Sequence, residues 1–247
     1  MINIPFLKLK VDIDLDKLKY ESKLISDKYG YNNYNSKIYK GFKNYWAGRK
    51  YEKSWSGISL YSSDGSLYND MTEGPVWGVQ PTELQSIAPY MFSVLDKIYI
   101  CSPISSIRLL RIAPKSSLLW HSHVLESISK TNKNHSQQYT TLTIQIPINL
   151  PKGFKYCVVD KDEFKQWKLF KKYFYKPQWF KTLREGKFEE GNAYYFNSYH
   201  YHNVYNPSDQ YRTSLMFYID MNYNDIKKLI NKSLKDTNYL LNSNKLQ

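Results

Sequence analysis

The chain has 247 residues, 42% of them hydrophobic, which is enough to bury a core as one large domain or two small ones. No run of about 18 apolar residues is present, so no membrane span is expected. The formal charge of +13 admits an acidic partner, but there is no Arg/Lys block, zinc-finger spacing or RNP-type motif, so nucleic acid is not expected; an AT-rich coding sequence, which raises Lys, Asn, Ile and Tyr together, accounts for the excess.

The first residues, MINIPFLKLKVDIDLDKL, alternate apolar and charged side chains and lack a signal-peptide core. Cys101 and Cys157 make no disulfide framework, which fits a reduced, cytoplasmic setting. An extended piece is followed by a helix with Leu15, Leu18, Ser22 and Ile25 at helical spacing. Ser54 to Asp70 mixes aromatic and turn residues and reads as a hairpin or ordered loop. Pro81 to Ile98 reads as a helix with Thr82 as N-cap and a stripe of Leu84, Ile87, Met91 and Leu95, broken or kinked at Pro89.

From Ser106 the pattern turns to strands: SIRLLRIA, LLWHSHVL, YTTLTIQIPI, FKYCVV, NAYYFNS, HYHNVYN and YRTSLMFYID. Turn residues separate them, and a polar loop runs from Glu126 to Gln138. Short, closely spaced strands argue for a sandwich or small barrel. Residues 160–187 interrupt the series with Phe164, Trp167 and Phe174 near helical spacing and lysines opposite, read as an amphipathic helix on the barrel or as a lid or docking surface. A last helix is expected after Asn222 or Asn224. The divisions are residues 1–100 as a helical and loop cover, 101–221 as the β core with the 160–187 insert, and 222–247 as a C-terminal helix and tail.

Four of the five histidines fall in two H-x-H pairs, His121/His123 and His200/His202. Residues i and i+2 of a strand share a face, so two such strands can bring imidazoles together inside a barrel. Imidazole is a common ligand of first-row transition metals. The competing reading is ordinary core or surface polarity. Glu126 is the nearby acid downstream, and Trp120 and His200 stand where they could border a substrate. Arg212 follows His202 by ten residues and shares a strand face with Ser214, a pairing suited to a carboxylate, or to a salt bridge with Asp209 or Asp220.

Together these residues resemble the aspartyl/asparaginyl β-hydroxylase family of 2-oxoglutarate/Fe(II)-dependent oxygenases, from about Arg108 to Asp220. The matching blocks are LLRIAPKSSLLWH and EGNAYYFNSYHYHNVYNPSDQYRTSL, the second placing Gly191 at the entry of its strand. The resemblance implies a mainly β fold with flanking helices, built on a double-stranded β-helix (jelly-roll, cupin-like) core. It implies His121 and His202 as iron ligands and Arg212, with Ser214, as the grip on 2-oxoglutarate. The family's central strand carries Arg and His toward 2-oxoglutarate; Thr141, Thr143 and Gln145 stand near those positions in this chain. The third iron position falls to His123, Glu126 or water, since some members lack the carboxylate. The implied activity is O2-dependent hydroxylation of a C–H bond of an Asp, Asn or Pro side chain, in a peptide or a free amino acid, releasing succinate and CO2. Two alternatives stay open: a cupin-like metal protein without 2-oxoglutarate, using His121, His123, Glu126 and His202, and a non-catalytic module whose basic insert binds an acidic partner.

Overall fold

The computed structural model describes residues 6–33, 54–62, 64–69, 80–98, 104–121, 139–160, 163, 183–198, 200–222, 228 and 230–233. His123, Glu126, His135, Cys101, Asn224 and most of the 160–187 insert lie outside them. The strands are β1 (Phe6–Leu9), β2 (Asn32–Asn33), β3 (Trp55–Ser62), β4 (Gln80–Pro81), β5 (Ile104–Ile112), β6 (Ser116–His121), β7 (Tyr139–Asn149), β8 (Lys155–Val159), β9 (Arg184–Gly186), β10 (Ala193–Phe196), β11 (Tyr201–Asn206) and β12 (Arg212–Asn222). Two helices, α1 (Leu15–Lys28) and α2 (Pro89–Ile98), precede β5.

The larger sheet runs β1-β10-β7-β12-β5-β3-β2, with β4 beside β3, and the smaller runs β6-β11-β8-β9. From β5 onward the chain swings between them: β5, β7, β10 and β12 go to the large sheet, and β6, β8, β9 and β11 to the small one. That alternation makes the core a double-stranded β-helix, as expected.

Alternation also explains the layering. In β7, Ile144, Ile146 and Ile148 join the apolar layer that packs the outer face of the large sheet under Leu18 and Ile25 of α1 and Met91 of α2. The opposite positions, Thr143 and Gln145, are polar yet 0% and 1% exposed, because they face the barrel interior. β12 divides the same way, with Leu215 and Phe217 outward and Arg212, Ser214 and Met216 inward. The interior is closed by Leu110, Ile112, Tyr156, Val158, Phe196 and Val204. A strand whose polar face is the buried one encloses groups that need partners.

The helical layer is fastened by a carboxylate. Glu21 of α1, 6% exposed, accepts from the backbone N–H of Tyr90 and of Met91, each at 2.8 Å. These are orphan donors in the first turn of α2, whose opening Pro89 has none to offer. Pro89 breaks the predicted helical stretch, the break being one of the two outcomes expected there: Thr82 caps a 3-10 turn over Glu83–Ser86, and α2 starts anew.

Several expectations need correction. The N-terminal hundred residues supply strands as well as cover: β1 and β3 widen the large sheet, with β3 paired along β5. The described residues of this stretch, 54–62 and 64–69, are thus a sheet strand and its return, closed by Ser59 N–H to Leu67 O at 2.8 Å, rather than an isolated hairpin. The tail of the insert, Arg184–Gly186, is β9, paired with β8. Asn222 pairs with Tyr139 as the end of β12, so it is not a helix cap.

Candidate active site

β6 and β11 bring two of the predicted ligands together. His121 pairs directly with His202, and their ring centroids are 4.2 Å apart. Both are buried, at 6% and 3% exposure. A bulge aims them. Between His202 and Val204 on β11 there is one residue; between their partners His121 and Leu118 on β6 there are two. The extra residue lets His121 and Leu118, three apart, both face inward, which a regular strand forbids. Leu118 packs with the interior cluster. The bulge also turns Trp120 outward, where it packs with Val159, Leu183 and Tyr201 on the far face of the small sheet. Trp120 therefore leaves the cavity wall, contrary to the expectation that it borders substrate.

His202 is oriented for ligation. Its Nδ1 lies 3.0 Å from the carbonyl oxygen of His200. A carbonyl only accepts, so Nδ1 carries the proton and Nε2 keeps its lone pair. Phe196 meets the ring edge-on at 5.3 Å and Tyr156 stacks on it at 6.0 Å. His200 stands one rung further along, its Nδ1 3.6 Å from Asp160 Oδ2. Among the described residues no group of three His, Cys, Asp or Glu side chains converges as a complete metal site.

At the closed end of the barrel, Arg212 is 1% exposed. Its Nη2 donates to Gln145 Oε1, and its guanidinium lies 5.1 Å from the centroid of the Phe154 ring. Burial pulls its pKa down to about 9, with Tyr156 the electrostatic neighbour that opposes the fall. No carboxylate pairs with it among the described residues, so neither Asp209 nor Asp220 forms the alternative salt bridge there: Asp209 pairs with Lys115 at 3.2 Å, and only the backbone of Asp220 is described. Arg212 Nε, Gln145 Nε2, Thr143 Oγ1 and Ser214 Oγ are buried and have no hydrogen-bond partner among the described residues. Four such groups fit a carboxylate, which only accepts.

No family model and no curated protein matches this sequence. Solved structures resemble it in fold. HygX from Streptomyces hygroscopicus with nickel and 2-oxoglutarate bound is 11% identical, with a TM-score of 0.49 over 86% of this chain and 81% of that one. The α-ketoglutarate-dependent carbocyclase SnoK of nogalamycin biosynthesis is 13% identical, with a TM-score of 0.48 over 87% and 80%. A 2OG-Fe(II) oxygenase family oxidoreductase from Burkholderia pseudomallei is 11% identical, with a TM-score of 0.37 over 66% of each chain. At these identities and scores the chemistry has to be read from this chain's own residues.

Two site residues escaped the sequence reading. Tyr156, 2% exposed on β8, links the two halves of the site, stacking on His202 and neighbouring Arg212. Trp55, at the start of β3, sets its ring 6.5 Å from His121. The signal for Tyr156 was its phase with Val158 in KYCVV; nothing local pointed to Trp55, which reaches the site through pairing of β3 with β5.

Proposed function

We propose that this chain is a 2-oxoglutarate- and Fe(II)-dependent dioxygenase that hydroxylates a C–H bond of an amino-acid side chain, releasing succinate and CO2. One observation carries the reading: a buried guanidinium that meets no carboxylate among the described residues, ringed by donors with no partner among them, in the same barrel as a facing pair of buried histidines. A desolvated cation is costly alone and favourable once an anion meets it. A cupin-like metal site without 2-oxoglutarate gives Arg212, Gln145, Thr143 and Ser214 no such purpose.

His121 and His202 would hold the iron, with His123, Glu126 or water completing the protein-side set. Bound iron supplies the activation of O2 that no side chain provides. The chain's own contributions are separate. Arg212, Gln145, Ser214 and Thr143 hold and orient the far carboxylate of 2-oxoglutarate. Tyr156, Phe196 and Trp55 wall the histidines and exclude water. The His200 carbonyl keeps His202 in the tautomer that ligates.

The finer reading follows the resemblance to aspartyl/asparaginyl β-hydroxylases: an Asp, Asn or Pro side chain, in a peptide or a free amino acid. His200, paired with Asp160 one rung beyond His202, is the candidate substrate-side residue. The basic 160–187 run favours an acidic peptide, and binding through it would weaken with salt. A reduced, cytoplasmic setting is supported by the free thiol of Cys157, and no described helix is long and apolar enough to cross a membrane. The test is succinate release by the iron-loaded protein across peptides and free amino acids, with product mass. A gain of one oxygen matched by succinate supports the reading; absence of both, with no 2-oxoglutarate binding to the metal-loaded protein, removes it.

A further inference from the structure

β5 carries two arginines that alternation sends opposite ways. Arg108 is in phase with Leu110 and Ile112 of the interior cluster and is 3% exposed. Arg111 is in phase with Ile107 and Leu109 and faces the outer layer. Register sets its neighbours there. Arg111 pairs with Thr213 of β12 on one side and with Ser56 of β3 on the other. Directly paired residues share a face, with Cβ atoms about 5 Å apart. The next outward rung of the same strands, Ile58, Leu109 and Leu215, is apolar and fully buried. The apolar packing of the outer face thus gives way, at this end of the sheet, to a rung of Ser56, Arg111 and Thr213.

Two tyrosines hold the guanidinium without using its donors. It lies 4.1 Å from the Tyr31 ring centroid and 4.9 Å from that of Tyr211. Guanidinium N–H groups point out in its plane, so an aromatic ring over its face attracts the charge and leaves those groups unused. Arg111 Nε is buried with no hydrogen-bond partner among the described residues, and no described carboxylate reaches the side chain. Asp209, two residues before Tyr211, is taken by Lys115 at 3.2 Å. The flanking hydroxyls are in the same condition: Ser56 is 9% exposed and Thr213 5%, and neither side chain forms a hydrogen bond among the described residues. A fixed cation between two enclosed hydroxyls on one rung is a set of donors that an oxyanion completes.

We propose that Arg111, with the hydroxyls of Ser56 and Thr213, forms an oxyanion site on the outer face of the large sheet. Its ligand is a small molecule bearing a carboxylate or a phosphate, gripped by the in-plane N–H groups while the tyrosine rings fix the guanidinium. Thr213 lies between Arg212 and Ser214, so this site and the interior one share a strand segment and face opposite ways. The outer site stands whether or not Arg212 holds 2-oxoglutarate.

NMR titration of the full chain registers weak binding and locates it. The probes are inorganic phosphate and, separately, acetate, at constant ionic strength, followed through the Thr213 amide and Arg111 Nε–H signals. Saturable shifts of these signals are expected in the parent, with affinity about ten-fold or more lower in Arg111→Met and parent-like in Arg212→Met. The probe that binds more tightly tells phosphate from carboxylate. Absence of binding by both probes in the parent overturns the proposal, as does parent-like affinity in Arg111→Met. Binding lost in Arg212→Met and kept in Arg111→Met places the anion inside the barrel and overturns it too. If Arg111→Met does not fold, the double variant Ser56→Ala, Thr213→Val decides, since it keeps the guanidinium and removes both hydroxyls: affinity lower by about five-fold or more supports the site, and parent-like affinity overturns it.

Discussion

Gln145 gives its side-chain carbonyl to Arg212 Nη2, and that bond fixes which end of the amide is left over: Nε2, a donor, buried and without a partner among the described residues. The amide thus lends Arg212 a neutral acceptor and keeps a donor for an anion. A carboxylate at this position would satisfy Arg212 from within. Gln145→Glu is expected to raise the stability of the ligand-free protein by about 2 kcal/mol, because an uncompensated buried charge gains its counter-ion. It is also expected to abolish stabilisation by 2-oxoglutarate. Thermal unfolding with and without 2-oxoglutarate measures both; an unchanged ligand-induced shift in the variant would place the carboxylate site elsewhere.

The histidine pair gives a second prediction. Loss of His121 or His202 to Ala removes one of few ligands, so stoichiometric Ni(II) or Fe(II) binding should disappear, while Arg212→Met, at the closed end of the barrel, should leave it intact. Metal content after dialysis checks this. Metal retained by His202→Ala at parent stoichiometry would show that the 4.2 Å pairing of rings is only packing.

How far the sequence could be read follows from what alternation carries. It reports that i and i+2 share a face, so the shared faces of His121 with His123, of His200 with His202 and of Arg212 with Ser214 were legible from spacing, while His121 and His202 as the converging pair came with the family resemblance. It does not report which face is inside. Arg108 and Tyr156 looked like strand filler because a polar group in phase with apolar ones reads equally well as exposed. Nor does it register a bulge, and the extra residue between Leu118 and His121 is what sends Trp120 outward. β9 escaped because three residues, Arg-Glu-Gly, carry no periodicity, and β3 because its Gly and serines resemble a turn until Ser56, Ser59 and Ser62 prove buried.

Glu21 offers a test of the helical layer. Replacing it with Ala strands the buried N–H groups of Tyr90 and Met91 and should cost about 3 kcal/mol, since charge-assisted bonds to two donors are lost at once. Urea unfolding measures the cost. A change within experimental scatter would mean that water satisfies the start of α2.

Cys157 should be a slow thiol. Burial, with Glu185 as a like-charge neighbour, pushes its pKa up from 9.0 to about 11. At pH 8 the native thiolate is scarce, so alkylation should be much slower than in urea and should speed up as pH approaches 11. The linkage has a definite sign: between pH 9 and 11 the unfolded thiol ionises while the folded one stays protonated, so its contribution to stability falls as pH rises. Native labelling as fast as unfolded labelling at pH 8 would contradict this.

Asn206 ties the closed end of the barrel to Arg212 without touching it. Fully buried, its Nδ2 donates to the carbonyls of Ile112, Ala113 and Gln210 at 3.3, 3.0 and 2.8 Å, and its Oδ1 accepts from Ser208 N–H and Oγ at 3.2 and 2.9 Å. One side chain thus closes the β5–β6 turn and the loop that delivers Arg212 to β12. Asn206→Ala removes these bonds together, although Ala113 O keeps Ser116 Oγ and Gln210 O keeps Ser208 Oγ, and a loss of about 2 kcal/mol is expected. The same change frees the loop beside Arg212, so 2-oxoglutarate affinity should fall below that of the parent at temperatures where the variant is still fully folded, with metal binding unchanged. Denaturant unfolding gives the first quantity and calorimetry well below the melting temperature gives the second. A destabilised variant that still binds 2-oxoglutarate like the parent would mean that β12 alone, through its pairing with β5 and β7, positions the guanidinium.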